Sequence, residues 1–178
     1  MEEKLDLIIQ KLDELLVLAK RIHKDTEPSI ENNASEYLLN VLGNIGEAKA
    51  LAKLVSMNVP VYVSFGDNEK ADLVAEFNGR LNKLQVKTSE KFEDNQFTVS
   101  LKSSTIRNQN YHYHKYDSSE IDYFVVYNLE SDTLLLLPIE EFENRTSVRF
   151  RIPYVETHNQ YKSLNYEDYL FDKILMRP

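Results

Sequence analysis

Asn78-Gly79, set between two alternating runs, constrains this chain more than any other feature. Lys70-Ala71-Asp72-Leu73-Val74-Ala75-Glu76-Phe77 precedes it, and Arg80-Leu81-Asn82-Lys83-Leu84-Gln85-Val86-Lys87 follows. A type I′ turn needs positive φ at both central residues, which Asn and Gly tolerate, so the pattern predicts a β-hairpin. If those two residues are the whole loop, Phe77 pairs with Arg80 and Asp72 falls opposite Gln85. Lys87 lies two residues further along and shares the face of Gln85. An Asp, a Gln and a Lys then converge on one patch, while Ala71, Leu73, Leu84 and Val86 point the other way.

Helices precede the hairpin. Residues 1–25 predict an amphipathic helix, its stripe made by Leu5, Ile8, Leu12, Leu15, Ala19 and Ile22. The stripe is too short to separate packing on its own domain from pairing with a second subunit, so an oligomerisation role stays open. Residues 26–34 are rich in turn formers and predict a linker, with the main domain at 35–178. A second helix is expected at about residues 34–57, with Leu38, Val41, Ile45, Ala48, Ala52 and Val55 on its apolar face and Glu47 beside it. Gly43 and Gly46 weaken its propensity and predict close packing against a sheet.

Strands then dominate, at 59–65, 71–77, 80–88, 96–103, 122–129, 133–138 and 148–152. A short helix is expected from Pro138 to Phe142, and a C-terminal helix over 166–175. The fold class is α/β (α+β): a mixed central sheet flanked by helices.

Composition narrows the function classes. The chain has 178 residues and no cysteine, which excludes disulfides, thiol catalysis and Cys-ligated zinc. It fits a reducing intracellular, cytoplasmic setting. No apolar run approaches the roughly 20 residues of a membrane span. A net charge of -8 argues against a general nucleic-acid binder, but residues 80–115 carry +4, leaving -12 for the remainder. That basic segment could be a solvated face or a contact surface.

The patch has the residue types of a metal-dependent phosphodiesterase. Magnesium prefers hard oxygen ligands, which Asp72, the Gln85 amide, the Val86 backbone carbonyl and Glu47 can offer. A cation such as Lys87 can orient the attacking water or neutralise charge on phosphorus. Taken singly, Asp72 and Lys87 read better as a surface ion pair, and only the joint placement of the set shifts the balance. Tyr111-His112-Tyr113-His114 has no carboxylate close in sequence, so phosphate or base contact is favoured over metal binding. Lys91, Lys102, Arg107, His112, His114 and Lys115 are candidate DNA contacts from the basic segment. Arg149 and Arg151 alternate with apolar residues and face either a shared groove or the outside of an edge strand.

The ordered set of motifs carries a resemblance. Gly46-Glu47-Ala48-Lys49-Ala50, Phe65-Gly66-Asp67-Asn68, Ala71-Asp72-Leu73-Val74, Leu84-Gln85-Val86-Lys87-Thr88 and Glu120-Ile121-Asp122-Tyr123-Phe124 together resemble the PD-(D/E)XK nuclease superfamily. The Gln-x-Lys form is similar to the group I intron-encoded homing endonucleases of that type, where Gln replaces the usual Glu or Asp. The resemblance spans about residues 40–175 and implies a restriction-endonuclease-like core. It further implies magnesium-dependent cleavage of double-stranded DNA, with manganese as a substitute. Glu47, Asp72, Gln85 and Lys87 would be the catalytic set, acting in a homo-oligomer (dimer or tetramer). A non-cleaving DNA-binding or assembly module, and a junction-resolving or restriction-type nuclease, are the alternatives.

Overall fold

A computed structural model describes residues 31–64, 69–107, 110–152 and 163–175, with the side chains of 31–36 and 104–112 outside that description. The predicted helix within residues 1–25, linker residues 26–30, the Phe65–Asn68 segment and the Tyr154–Gln160 stretch lie outside the described residues. Helix α1 spans Glu31–Ser56, so the predicted linker residues 31–34 are helical instead. In chain order the strands are β1 (Val61–Val63), β2 (Leu73–Phe77), β3 (Arg80–Ser89), β4 (Gln96–Ser100) and β5 (Lys102–Arg107). They continue with β6 (Asn110–Lys115), β7 (Tyr123–Asn128), β8 (Thr133–Pro138), β9 (Ser147–Arg151) and β10 (Leu164–Asn165). Helix α2 is Ile139–Phe142 and α3 is Phe171–Leu175.

The main sheet has five strands in the order β1-β2-β3-β7-β8. The hairpin forms in its expected register, Phe77 opposite Arg80 and Leu73 opposite Leu84. Asn78 and Gly79 both take positive φ, 53° and 71°, as the two-residue turn demands. Buried Asn82 braces the turn by donating to the carbonyls of Phe77 at 3.1 Å and Arg80 at 3.0 Å. Its neighbour Leu81 is left exposed, so the strand's polarity is inverted locally to serve the turn.

Strand β3 is central and pairs in parallel with β7, Leu84 opposite Tyr123 through Ser89 opposite Asn128. Strands β7 and β8 read as continuous apolar runs because they are buried: Phe124, Val125, Val126, Leu135, Leu136 and Leu137 all lie in the core.

Helix α1 packs on this sheet by a face shifted from the predicted one. Ile45, Gly46, Ala50 and Leu54 are buried, whereas Val55 and Leu39 are exposed. The cause is Gly46. A Cβ there would collide with Thr88 Oγ1 and reach Val86 Cγ1 at 3.4 Å, so the helix backbone approaches β3 where only glycine fits. Gly43 has open space around its Cα and makes no such approach.

Three further departures have local causes. The strand expected over 96–103 divides at buried Leu101, whose N–H turns to the Thr146 carbonyl at 3.0 Å. After it the chain leaves β9 and forms a separate β5–β6 ribbon, Lys102 opposite Lys115. The expected helix over 166–175 is a 3-10 turn (Tyr166–Tyr169) and α3, separated by extended Leu170, which bridges to Leu135. Strand β9 lies between β10 and β4, which rules out an edge position for Arg149 and Arg151.

Gly46→Ala should lower stability by about 1–3 kcal/mol, the usual cost of overpacking. Thermal denaturation of Gly46→Ala alone and with Thr88→Ala checks the cause: the second change should restore part of the loss. No recovery would remove the Thr88 collision as its source.

Candidate active site

Asp72 stands one residue before β2, where main-chain pairing with β3 gives way to side-chain contacts. Its N–H still donates to the Leu84 carbonyl at 2.9 Å. Its carboxylate then takes over the next position: Oδ2 accepts the Val86 N–H at 2.7 Å and the Gln85 amide Nε2 at 2.6 Å. The carboxylate is thus bonded to the backbone of the strand that carries Gln85 and Lys87. Among the described residues no donor reaches Asp72 Oδ1.

Burial dominates the electrostatics. It pushes the Asp72 carboxyl above the ordinary carboxylate range, against the pull of the Val86 N–H, the Lys87 charge and the Gln85 amide. The Glu47 carboxyl is also raised, first by burial and then by the Asp72 charge, so the two acids repel one another. Burial lowers the Lys87 ammonium, with the Asp72 charge opposing. A partly buried cluster in which each group resists its own charged form is typical of functional sites rather than surface ion pairs.

Around this cluster stands a wall that the one-dimensional pattern did not reveal. Lys87 Nζ lies 5.0 Å from the centroid of the Tyr116 ring. Burial raises the Tyr116 hydroxyl, the Ser103 hydroxyl opposes this, and the charges of Asp72 and Glu120 add to it. His114 Nε2 is hydrogen-bonded to Glu120 Oε2 at 2.7 Å. Glu120, six residues on in sequence, is thus brought beside His114 in space. The turn at 117–120 folds Glu120 back onto β6, its N–H donating to the Asp117 carbonyl at 3.1 Å.

The PD-(D/E)XK endonuclease family matches residues 40–172, which takes in Glu47, Asp72, Gln85, Lys87 and the flanking strands. The chain belongs to the PD-(D/E)XK endonuclease family. Among solved structures, the bacterial homing endonuclease I-Ssp6803I is similar in fold, with a TM-score of 0.58 at 24% identity. The match covers 73% of this chain and 86% of that one. No curated protein matches the chain.

For a PD-(D/E)XK endonuclease the donor set is lean. Among the described residues no three His, Cys, Asp or Glu side chains converge as a metal-binding group. The oxygens on hand are those of Asp72, the Gln85 amide, the Val86 carbonyl and Glu47, a hard-oxygen set that fits an ion retaining several waters. The mutual repulsion of Asp72 and Glu47 fits a cation as well. One detail differs from expectation: Gln85 turns its nitrogen to Asp72, and that nitrogen also lies 3.3 Å from the Val86 carbonyl. Presenting its oxygen instead requires the amide to rotate.

The candidate DNA contacts do not gather at one place. Lys102 lies over the Tyr113 ring at 3.5 Å, and Lys115 is exposed on the opposite strand of the ribbon. Arg107 and His112 are on the same ribbon, their side chains outside the described residues. Arg149 and Arg151 sit on the three-stranded sheet, where they donate to Thr98 Oγ1 at 3.2 Å and Gln96 Oε1 at 3.4 Å. Lys91 is exposed beyond the end of β3.

The raised carboxyls set a pH dependence. A carboxyl whose folded pKa exceeds its unfolded value contributes stability below the unfolded value, about 3.9 for Asp, and loses it as pH rises through the folded value. Ionised Asp72 therefore destabilises the apo fold near neutrality. In chelator, Asp72→Asn should melt higher than the parent near neutral pH, and the gain should shrink toward about pH 4. Melting curves across that range test this; a gain independent of pH would rule out ionisation as its origin.

Proposed function

We propose that the chain is a magnesium-dependent endonuclease that hydrolyses phosphodiester bonds in double-stranded DNA, of the homing type. The observation that carries this is the Asp72 carboxylate bonded to Val86 N–H and Gln85, with Lys87 next on the strand and Glu47 within electrostatic reach. The homing-type reading is supported by Gln85 in the position where most of the superfamily has a carboxylate. The fold shared with a bacterial homing endonuclease is in keeping with it.

Each residue has a task in this reading. Asp72, Gln85 and the Val86 carbonyl would hold the ion, with Glu47 as a further acid. Magnesium held there would supply Lewis acidity toward the phosphate and the attacking water. Water attacks phosphorus in line and the 3′ oxygen departs. Lys87, its ammonium lowered by burial, orients the attacking water and balances charge developing on the phosphate. A chain with one such site cuts two strands as an even-numbered assembly.

Incubation with a randomised duplex library, in magnesium and in chelator, tests the activity and finds the target by sequencing new ends. Cleavage should need the ion, and Lys87→Ala should slow it on the order of 10²–10³-fold. Binding without cleavage in magnesium or manganese would identify the non-cleaving module instead. Independently of activity, magnesium should raise the melting temperature of the parent protein and leave Asp72→Asn unchanged.

A further inference from the structure

Tyr116 is 5% exposed, yet it lies between the catalytic candidates and the β5–β6 ribbon. Its ring is held on several sides. His114 packs edge-on at 5.1 Å and an interplanar angle of 81°, and Phe124 does the same at 5.5 Å and 90°. His114 is itself fixed by Glu120 at 2.7 Å, and Glu120 by Lys70 at 3.7 Å. These contacts set the ring with its face toward Lys87.

Lysine needs such a restraint. Its four-carbon stem has many rotamers, and a cation that orients water must stay in one place. Among the described residues Lys87 forms no ion pair. The Tyr116 face, with Nζ 5.0 Å from its centroid, lies within the distance at which a ring quadrupole attracts an ammonium. We propose that Tyr116 is a positioning residue for Lys87, its ring face holding the ammonium beside Asp72. The ring face, not the hydroxyl, carries this role. This rests on the nuclease reading of Lys87 for its catalytic meaning, but the contact itself is separately measurable.

The test joins a spectroscopic and a kinetic arm on the full chain. In protein labelled with 13C-lysine, the terminal methylene signal of Lys87, assigned by its loss in Lys87→Ala, should be shifted upfield by the ring. The shift should persist in Tyr116→Phe and vanish in Tyr116→Leu. Phenylalanine carrying one, two or three fluorines at position 116 keeps the ring's shape while weakening its negative face. The single-turnover cleavage rate should fall stepwise along that series, with DNA affinity unchanged, and Tyr116→Leu should lose on the order of 10²-fold. If Tyr116→Leu does not fold, the fluorinated series still decides. An unshifted Lys87 signal in the parent protein, or equal rates for every ring, would overturn the proposal. A parent protein that cleaves nothing would defeat the nuclease reading, leaving the Lys87–Tyr116 contact to stand or fall on the methylene signal.

Discussion

A slip of one residue between β2 and β3 would send every side chain of one strand to the opposite face. The alignment of Asp72 with Gln85 therefore depends on the Asn78-Gly79 turn holding a single register. The turn is short, both residues occupy the left-handed region, and buried Asn82 ties its side chain back to the carbonyls on either side. A polar residue is thereby buried and Leu81 exposed, an inversion that makes sense only if register matters more than local hydrophobic order. Everything at the site inherits this constraint. The Asp72 carboxylate can accept the Val86 N–H only when the pairing falls where it does.

That carboxylate shows which force prevails. Two hydrogen bonds and a lysine favour its ionised form, and burial still outweighs them. Glu47 adds a second reluctant charge. Residues chosen for stability alone would not be arranged so, since an apolar pair would fill the space without electrostatic cost. The fold tolerates the cluster because β7 and β8 bury long apolar runs and α1 meets β3 closely at Gly46.

Features set by neighbours in sequence were legible before any coordinates. The hairpin depends on two turn residues and an alternation, and β8 lies at the predicted 133–138 because four leucines precede a proline. Features set by distant partners were not. The buried face of α1 is rotated because Gly46 meets Thr88, a pairing no helical periodicity contains. Leu101 reads like any strand residue, yet the chain changes sheets there. Leu170 interrupts a plausible helix to bridge Leu135. At the site, Asp72 and Gln85 could be matched by arithmetic across a turn. Tyr116 and His114 could not be matched to Lys87 and Glu120 in that way. Both roles depend on how the 116–121 segment folds back over Lys87, which no spacing rule describes.

Strand β3 has two partners at very different distances along the chain. Strand β2 is joined to it by a two-residue turn, whereas β7 reaches it only after the chain has passed through β4, β5 and β6, pairing residue 84 with residue 123. Loop-closure entropy makes the first pairing quick and the second slow. On loop length alone the site would assemble in two stages. Asp72 meets Gln85 as the hairpin closes, in a chain still open on its far side. Lys87 acquires its apolar surroundings and its aromatic neighbour only when β7 docks and brings the preceding Tyr116 segment with it. A chain with only the hairpin closed would carry the paired acid and amide but not the desolvated lysine.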